Sequence, residues 1–144
     1  MSVLFTLKQY VKMVIQNKYL PYIYQKACKK PVKKGKILFA DAHHTELTGN
    51  MKPVYQKLKN GGYDIQLYCE DIQTMPVWRM IAFMKEFMQV YAQAEYVFIN
   101  SYFLPVSSCR KRKETTVVQL WHSGGLMKKM GYDTTEDIPK YYKG

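Results

Sequence analysis

Acidic residues are missing from the first forty positions of this 144-residue chain, which carry nine lysines before Asp41 appears. The net charge of +11 is therefore concentrated, with thirteen basic residues against eleven acidic ones over the remainder. A concentration of this kind suits an anionic surface such as lipid headgroups, a polyphosphate or nucleic acid. Cysteine is scarce as well: Cys28, Cys69 and Cys109 lie far apart, with no CxxC pair. That spacing argues against structural zinc and a disulfide framework, and it fits a reduced, cytosolic chain. Lysines break every apolar stretch of the N-terminal region well short of the roughly 20 residues needed to cross a bilayer. No basic segment precedes an apolar one at the N-terminus, so a signal peptide is not expected. Neither GxxxxGK[ST] nor GxGxxG occurs, which removes support for a Walker A loop or a dinucleotide site. No metal or other cofactor is implied.

Hydrophobic residues make up 47% of the chain and aromatics 15%, enough for one domain with a single core. Residues 1–34 read as a basic, amphipathic helical arm and 35–144 as the folded body. In the arm, Leu4, Leu7, Val11, Val14 and Ile15 recur at helical spacing, with Lys8, Lys12 and Gln16 on another face. Pro21 is expected to end or kink that helix, because it lacks an N–H and its ring clashes with the preceding turn. Two placements suit such an arm. Residues 1–30 can lie in the interface of an anionic membrane, or the apolar face can pack on the body of the protein. Aromatic and basic residues interleave there, but no nucleic-acid-binding motif accompanies them, so no nucleic acid is expected.

Beyond the arm, apolar runs and helical patterns alternate. "KILFADA" (Lys36 to Ala42), "YDIQLYCE", "EYVFINSY" and "TTVVQLWH" read as four strands. Asn50 to Asn60 and Val77 to Ala94 read as helices, the second opened by Thr74 as N-cap and Pro76 as an early helical position. Met80, Met84, Phe87 and Met88 fall at core spacing on it. Residues 102–114 read as a loop, with Arg110-Lys111-Arg112-Lys113 as its solvated face. Strands separated by helices predict an α/β fold, a Rossmann-like parallel sheet with helices on both faces.

Ligands of such sheets bind beyond the carboxyl ends of the strands. Three polar sets fall there: Asp41 to His44, Asn100-Ser101 and His122-Ser123, and together they hold every histidine of the chain. His43 and His44, read as neighbouring strand residues, are expected to point to opposite faces, with one of them toward the cleft. Gly124 and Gly125 allow a close backbone approach to a ligand. Lys128 and Lys129 offer charge to a phosphate if a helix begins there. His122 fits two roles on spacing alone, a packed imidazole bonded to backbone or a group that moves a proton.

"VVQLWHSGGLMKKMGYD" (Val117 to Asp133) resembles the signature segment of the CDP-glycerol glycerophosphotransferase family of teichoic-acid primases and polymerases. "ILFADAHHTELTGNMKPVYQKLKNGGYDIQLY" resembles that family's first strand–helix–strand unit. The resemblance runs from about residue 35 to the C-terminus. It departs from the commonest family pattern after His122, where Ser123-Gly124-Gly125 replace a Gly, Thr or Ile, Pro turn and add one residue before the lysines. The resemblance implies the N-terminal, acceptor-side domain of a two-domain GT-B-like (glycosyltransferase-B-like) enzyme, with the donor-binding domain following it. It also implies transfer of glycerol phosphate from CDP-glycerol to a hydroxyl of a lipid-linked glycerol-phosphate chain, CMP leaving. His122 would be the base, Lys128 and Lys129 would hold phosphate, and Asp41, His43 and His44 would bind acceptor. Such enzymes act on the cytoplasmic face of the membrane, and this chain alone would be inactive. A non-catalytic basic module that binds membrane or an anionic polymer is the competing expectation.

Overall fold

The computed structural model describes residues 3–120. Helix α1 (Val3–Val14) runs through a π-helical turn (Ile15–Tyr19) into α2 (Leu20–Ala27). Pro21 therefore does not end the helix. The chain widens one turn ahead of it, with the Leu20 N–H donating to the Ile15 carbonyl five residues back. Pro21 itself falls in the first turn of α2, where a missing N–H is tolerated. The two helices then differ in kind. No residue of α1 is buried, whereas Leu20, Ile23 and Tyr24 of α2 enter the core.

Four strands follow: β1 (Lys36–Asp41), β2 (Asp64–Cys69), β3 (Tyr96–Ile99) and β4 (Thr116–Gln119). All pair in parallel, in the order β2-β1-β3-β4. Each residue of β1 is buried, as a central strand covered on both faces requires. Its even and odd positions supply two different cores. Leu38 and Ala40 face α2 and helix α4 (Val77–Tyr91), while Ile37 and Phe39 face helix α3 (Met51–Leu58). The sheet is thus layered between helices, as the alternation of elements predicted.

Met84, Phe87, Met88 and Tyr91 bury one stripe of α4, and Met80 packs at the margin of the same cluster. The ring of Tyr91 stands 4.9 Å from that of Tyr24, which joins α4 to α2. On the other face Phe39 stacks on Phe98 at 5.0 Å and meets the edge of Tyr55.

Three local expectations need correction. Thr74 does not cap α4: its hydroxyl donates to the Asp71 carbonyl in the preceding turn, and Pro76 occupies the N-cap position. A proline there sets the residue before it extended, so the helix starts only afterwards. The segment after β3 includes a one-turn helix, α5 (Leu104–Ser107). Arg110–Lys113 is not simply a solvated face, because Arg112 turns inward. Its Nη1 donates to the carbonyls of Lys30 (2.6 Å), Ala92 (3.1 Å) and Cys28 (3.4 Å), and its backbone N–H donates to the Tyr24 hydroxyl. One cation thereby ties together chain ends just past α2 and α4, where carbonyls lack helical partners.

Candidate functional site

β1 continues to β2 on one side, and the chain then returns through α4 to β3 on the other. The loops leaving β1 and β3 consequently diverge at their carboxyl ends, and the gap between them is where parallel sheets hold ligands. A cleft of about 430 Å³ occupies that place, lined by His43, His44, Thr48, Gly49, Asn100 and Ser101.

Asp41 closes β1, and its carboxylate is buried. Oδ1 accepts the backbone N–H of His43 at 2.8 Å, an Asx-type turn that lifts the chain away from the strand. Oδ2 stands 2.9 Å from Nδ1 of His44. A carboxylate can only accept, so Nδ1 carries the hydrogen of this contact. The expected opposition of His43 and His44 does not hold: both line the cleft. The strand ends at Asp41, so its two-residue alternation no longer governs the histidines. The carbonyls of Asp41 and Ala42 accept the N–H groups of Glu70 and Ile72, anchoring the loop base to the chain after β2.

Asn100 follows β3 and is 4% exposed, yet its Oδ1 has no hydrogen-bond partner. A buried carbonyl left without a donor costs about 1–3 kcal/mol. Gly49 faces it with φ of +53°, and a Cβ placed there would stand 3.9 Å from both amide atoms. The conformation favours glycine, and its bare backbone forms the roof over the Asn100 carboxamide. Beside Asn100, the Leu120 N–H donates to the Ile99 carbonyl and continues the β3–β4 ladder to the last described residue.

Asp41, His43 and His44 are thus gathered with Asn100 and Ser101, as the strand ends predicted. Thr48 and Gly49 were missed; the one available signal was a glycine ahead of the helical pattern at Asn50. His122, Gly124, Gly125, Lys128 and Lys129 lie outside the described residues.

A larger cavity of about 680 Å³ opens at the amino edge, between α2 and the 109–113 segment. Its thiol Cys109 is pushed up to about 11, chiefly by burial, and so stays protonated near neutrality. Cys69, which pairs in register with Asp41, is likewise pushed up to about 11 by burial and then by the Asp41 charge. Neither is a nucleophile at neutral pH. Among the described residues no group of three or more His, Cys, Asp or Glu side chains could hold a metal ion. No described helix is long and apolar enough to cross a membrane.

A parallel α/β layer with a polar cleft at its switch point places the described residues in the Rossmann-like class of folds. Residues 22–143 match the model of a family described as CDP-Glycerol:Poly(glycerophosphate) glycerophosphotransferase, and the chain belongs to that family. The match begins in α2, earlier than the resemblance from about residue 35, consistent with α2 being part of the core. The chain is 31% identical over 105 residues to a teichoic acid ribitol-phosphate primase of Bacillus spizizenii, covering 71% of this chain and 27% of that protein. It is 30% identical over 112 residues to a teichoic acid ribitol-phosphate polymerase of Staphylococcus aureus, covering 72% and 21%. A teichoic acid poly(ribitol-phosphate) polymerase of Bacillus spizizenii is 26% identical over 104 residues, covering 71% and 16%. The chain therefore spans about a quarter or less of the length of these relatives.

Proposed function

We propose that this chain is the acceptor-side domain of a polyol-phosphate transferase of teichoic-acid synthesis. The observation that supports the reading best is the family match across 22–143, on a sheet whose carboxyl edge carries a polar cleft lined by His43, His44, Thr48, Asn100 and Ser101. The donor is a CDP-activated polyol phosphate, CDP-glycerol by the family's description and a ribitol counterpart by the relatives' names. It would be held by a second domain. The acceptor is a lipid-linked polyol-phosphate chain, whose terminal hydroxyl oxygen attacks the phosphorus bearing the donor polyol. The bond from that phosphorus to the bridging oxygen breaks, and CMP leaves. His122 takes the hydroxyl proton, Lys128 and Lys129 with the Gly124-Gly125 backbone hold phosphate oxygens, and Asp41, His43 and His44 seat the acceptor.

The arm would work at the inner, cytoplasmic face of an anionic membrane. Val3, Leu4, Leu7, Tyr10, Val11 and Met13 of α1 are exposed, and Lys8 and Lys12 accompany them, a composition that suits a headgroup interface. Co-sedimentation with vesicles of anionic lipid should fall sharply on removal of residues 1–14 and weaken with added salt. Equal binding with and without them would leave a membrane role for α1 untenable.

Transfer needs donor, acceptor and base aligned, so the 144-residue chain alone should release no CMP from CDP-glycerol or CDP-ribitol. The test is a hybrid in which residues 22–143 replace the matching segment of the Bacillus spizizenii primase. The hybrid should transfer polyol phosphate, and His122→Ala within it should cost about 10²–10⁴-fold in turnover. Near-normal turnover by a folded His122→Ala hybrid would make His122 structural.

A further inference from the structure

We infer that the Asn100 carboxamide, flanked by the Asp41-oriented imidazole of His44, is a seat for two neighbouring hydroxyls of a polyol phosphate. This inference rests on the polyol-phosphate reading above and names the atoms that would recognise the sugar alcohol.

Among the described residues, the cleft lining is polar: two histidines, Thr48, Asn100 and Ser101. None of the six described residues that line it is Lys or Arg. What it offers is hydrogen bonding of two signs. Oδ1 of Asn100 is a buried acceptor with no donor, and the same carboxamide carries N–H donors. A vicinal diol matches such a group, one hydroxyl donating to Oδ1 while its neighbour accepts from Nδ2. The His44 ring adds a second polar group whose direction is set by the Asp41 carboxylate behind it. Thr48 and Ser101 hydroxyls can donate or accept as the ligand requires.

Gly49 lies over the carboxamide with φ of +53°, a conformation that favours glycine, so no side chain stands there. Burial of an unsatisfied acceptor against a glycine is hard to explain by stability, because an apolar residue would fit the free protein better. A ligand hydroxyl supplies the missing donor. Asn100 is thus a binding residue, and Asp41 a positioning residue for His44.

The experiment uses the 144-residue chain, labelled with ¹⁵N, and follows the Asn100 side-chain amide resonances by NMR. Glycerol 3-phosphate, ribitol 5-phosphate, 3-hydroxypropyl phosphate and inorganic phosphate are the probes. The two polyol phosphates should shift those resonances. 3-Hydroxypropyl phosphate, which lacks the neighbouring hydroxyl, should bind at least about 5-fold more weakly, since a site built around a hydroxyl discriminates against its loss. Asn100→Ala should weaken polyol binding about 10-fold while leaving Tm unchanged or higher, because it removes an unsatisfied buried atom. His44→Ala, at a half-exposed side chain, is the second variant and should weaken binding about 3-fold with the fold intact.

The seat is overturned by any of three results. One is equal binding of inorganic phosphate or 3-hydroxypropyl phosphate; another is undiminished binding by both variants. The third is no shift with either polyol phosphate up to about 20 mM, the millimolar range being the weakest affinity of interest. Transfer by the hybrid enzyme without polyol binding here would sink the seat alone. Polyol binding here without transfer by the hybrid would sink the transferase reading alone.

Discussion

At the amino edge of the sheet, the larger cavity is lined by Arg112 and Lys111, which both have partners; at the carboxyl edge, a smaller cleft is lined by Asn100, whose buried oxygen does not. Arg112 spends its Nη1 on three carbonyls, Lys111 donates to the Thr115 carbonyl, and the buried Thr115 hydroxyl donates to Ala94. Across the sheet, Asn100 keeps an unpaired buried oxygen beside the Asp41-bound ring of His44. Volume would favour the first cavity as the functional one, about 680 against 430 Å³. Hydrogen-bond satisfaction favours the second. Native proteins pair nearly all buried polar atoms, so an exception at a concave surface marks a place prepared for something else. Tyr91 sharpens the contrast, since its buried hydroxyl is also unpaired yet lines neither cavity.

Substitutions at the two edges should therefore act on different quantities. Arg112→Ala is expected to lower unfolding stability most, by about 2–3 kcal/mol, because it strands carbonyls near the ends of α2 and α4. Chemical denaturation would measure it, and Arg112→Lys should restore only part, an ammonium being unable to copy the guanidinium fork. A loss below the error of the method would break the idea of a structural amino edge. Thr115→Val should cost about 1 kcal/mol, as the Ala94 carbonyl loses its donor.

Alkaline pH gives the next test. Burial pushes the Tyr24 phenol from 10.0 up to about 12, and Cys109 from 9.0 up to about 11. Tyr68 and Cys69 are raised similarly, to about 12 and about 11. Each is more easily deprotonated in the unfolded chain, so the stability they lend is complete below about pH 9 and is lost progressively as pH climbs toward 12. Denaturation midpoints measured from pH 8 to 11 should fall monotonically through the upper part of that range. A midpoint that rises there would contradict the burial of these groups. The smallest effect is assigned to Tyr91→Phe, which should be neutral or stabilising by up to about 1 kcal/mol, since it deletes a hydroxyl with no partner.

Much of this was legible in the sequence, and for local reasons. The apolar run of β1, the Met- and Phe-rich stripe of α4 and the alternation of strand and helix patterns all report burial over neighbouring residues. Polar residues at the ends of those strands pointed to the carboxyl edge, and Asp41, His43, His44, Asn100 and Ser101 do gather there. Where the reading failed, a contact between distant residues intervened. Arg112 reads as one more solvated cation until Tyr24, 88 positions away, accepts its backbone N–H.

By itself the sequence determined the parallel α/β layering, the edge at which polar strand ends gather and, through the match over residues 22–143, the family. Each of these follows from periodicity, strand-end composition or motif, all carried by contiguous residues. Only the tertiary structure decided that the helical arm divides into an exposed α1 and a core-bound α2, through a π-helical turn ahead of Pro21. It also decided that both histidines face one cleft and that Asn100 is left short of a donor beneath Gly49. The physical reason is that hydrogen-bond satisfaction belongs to the closed fold: whether a polar atom has a partner is settled by chain segments that meet only after the sheet has formed.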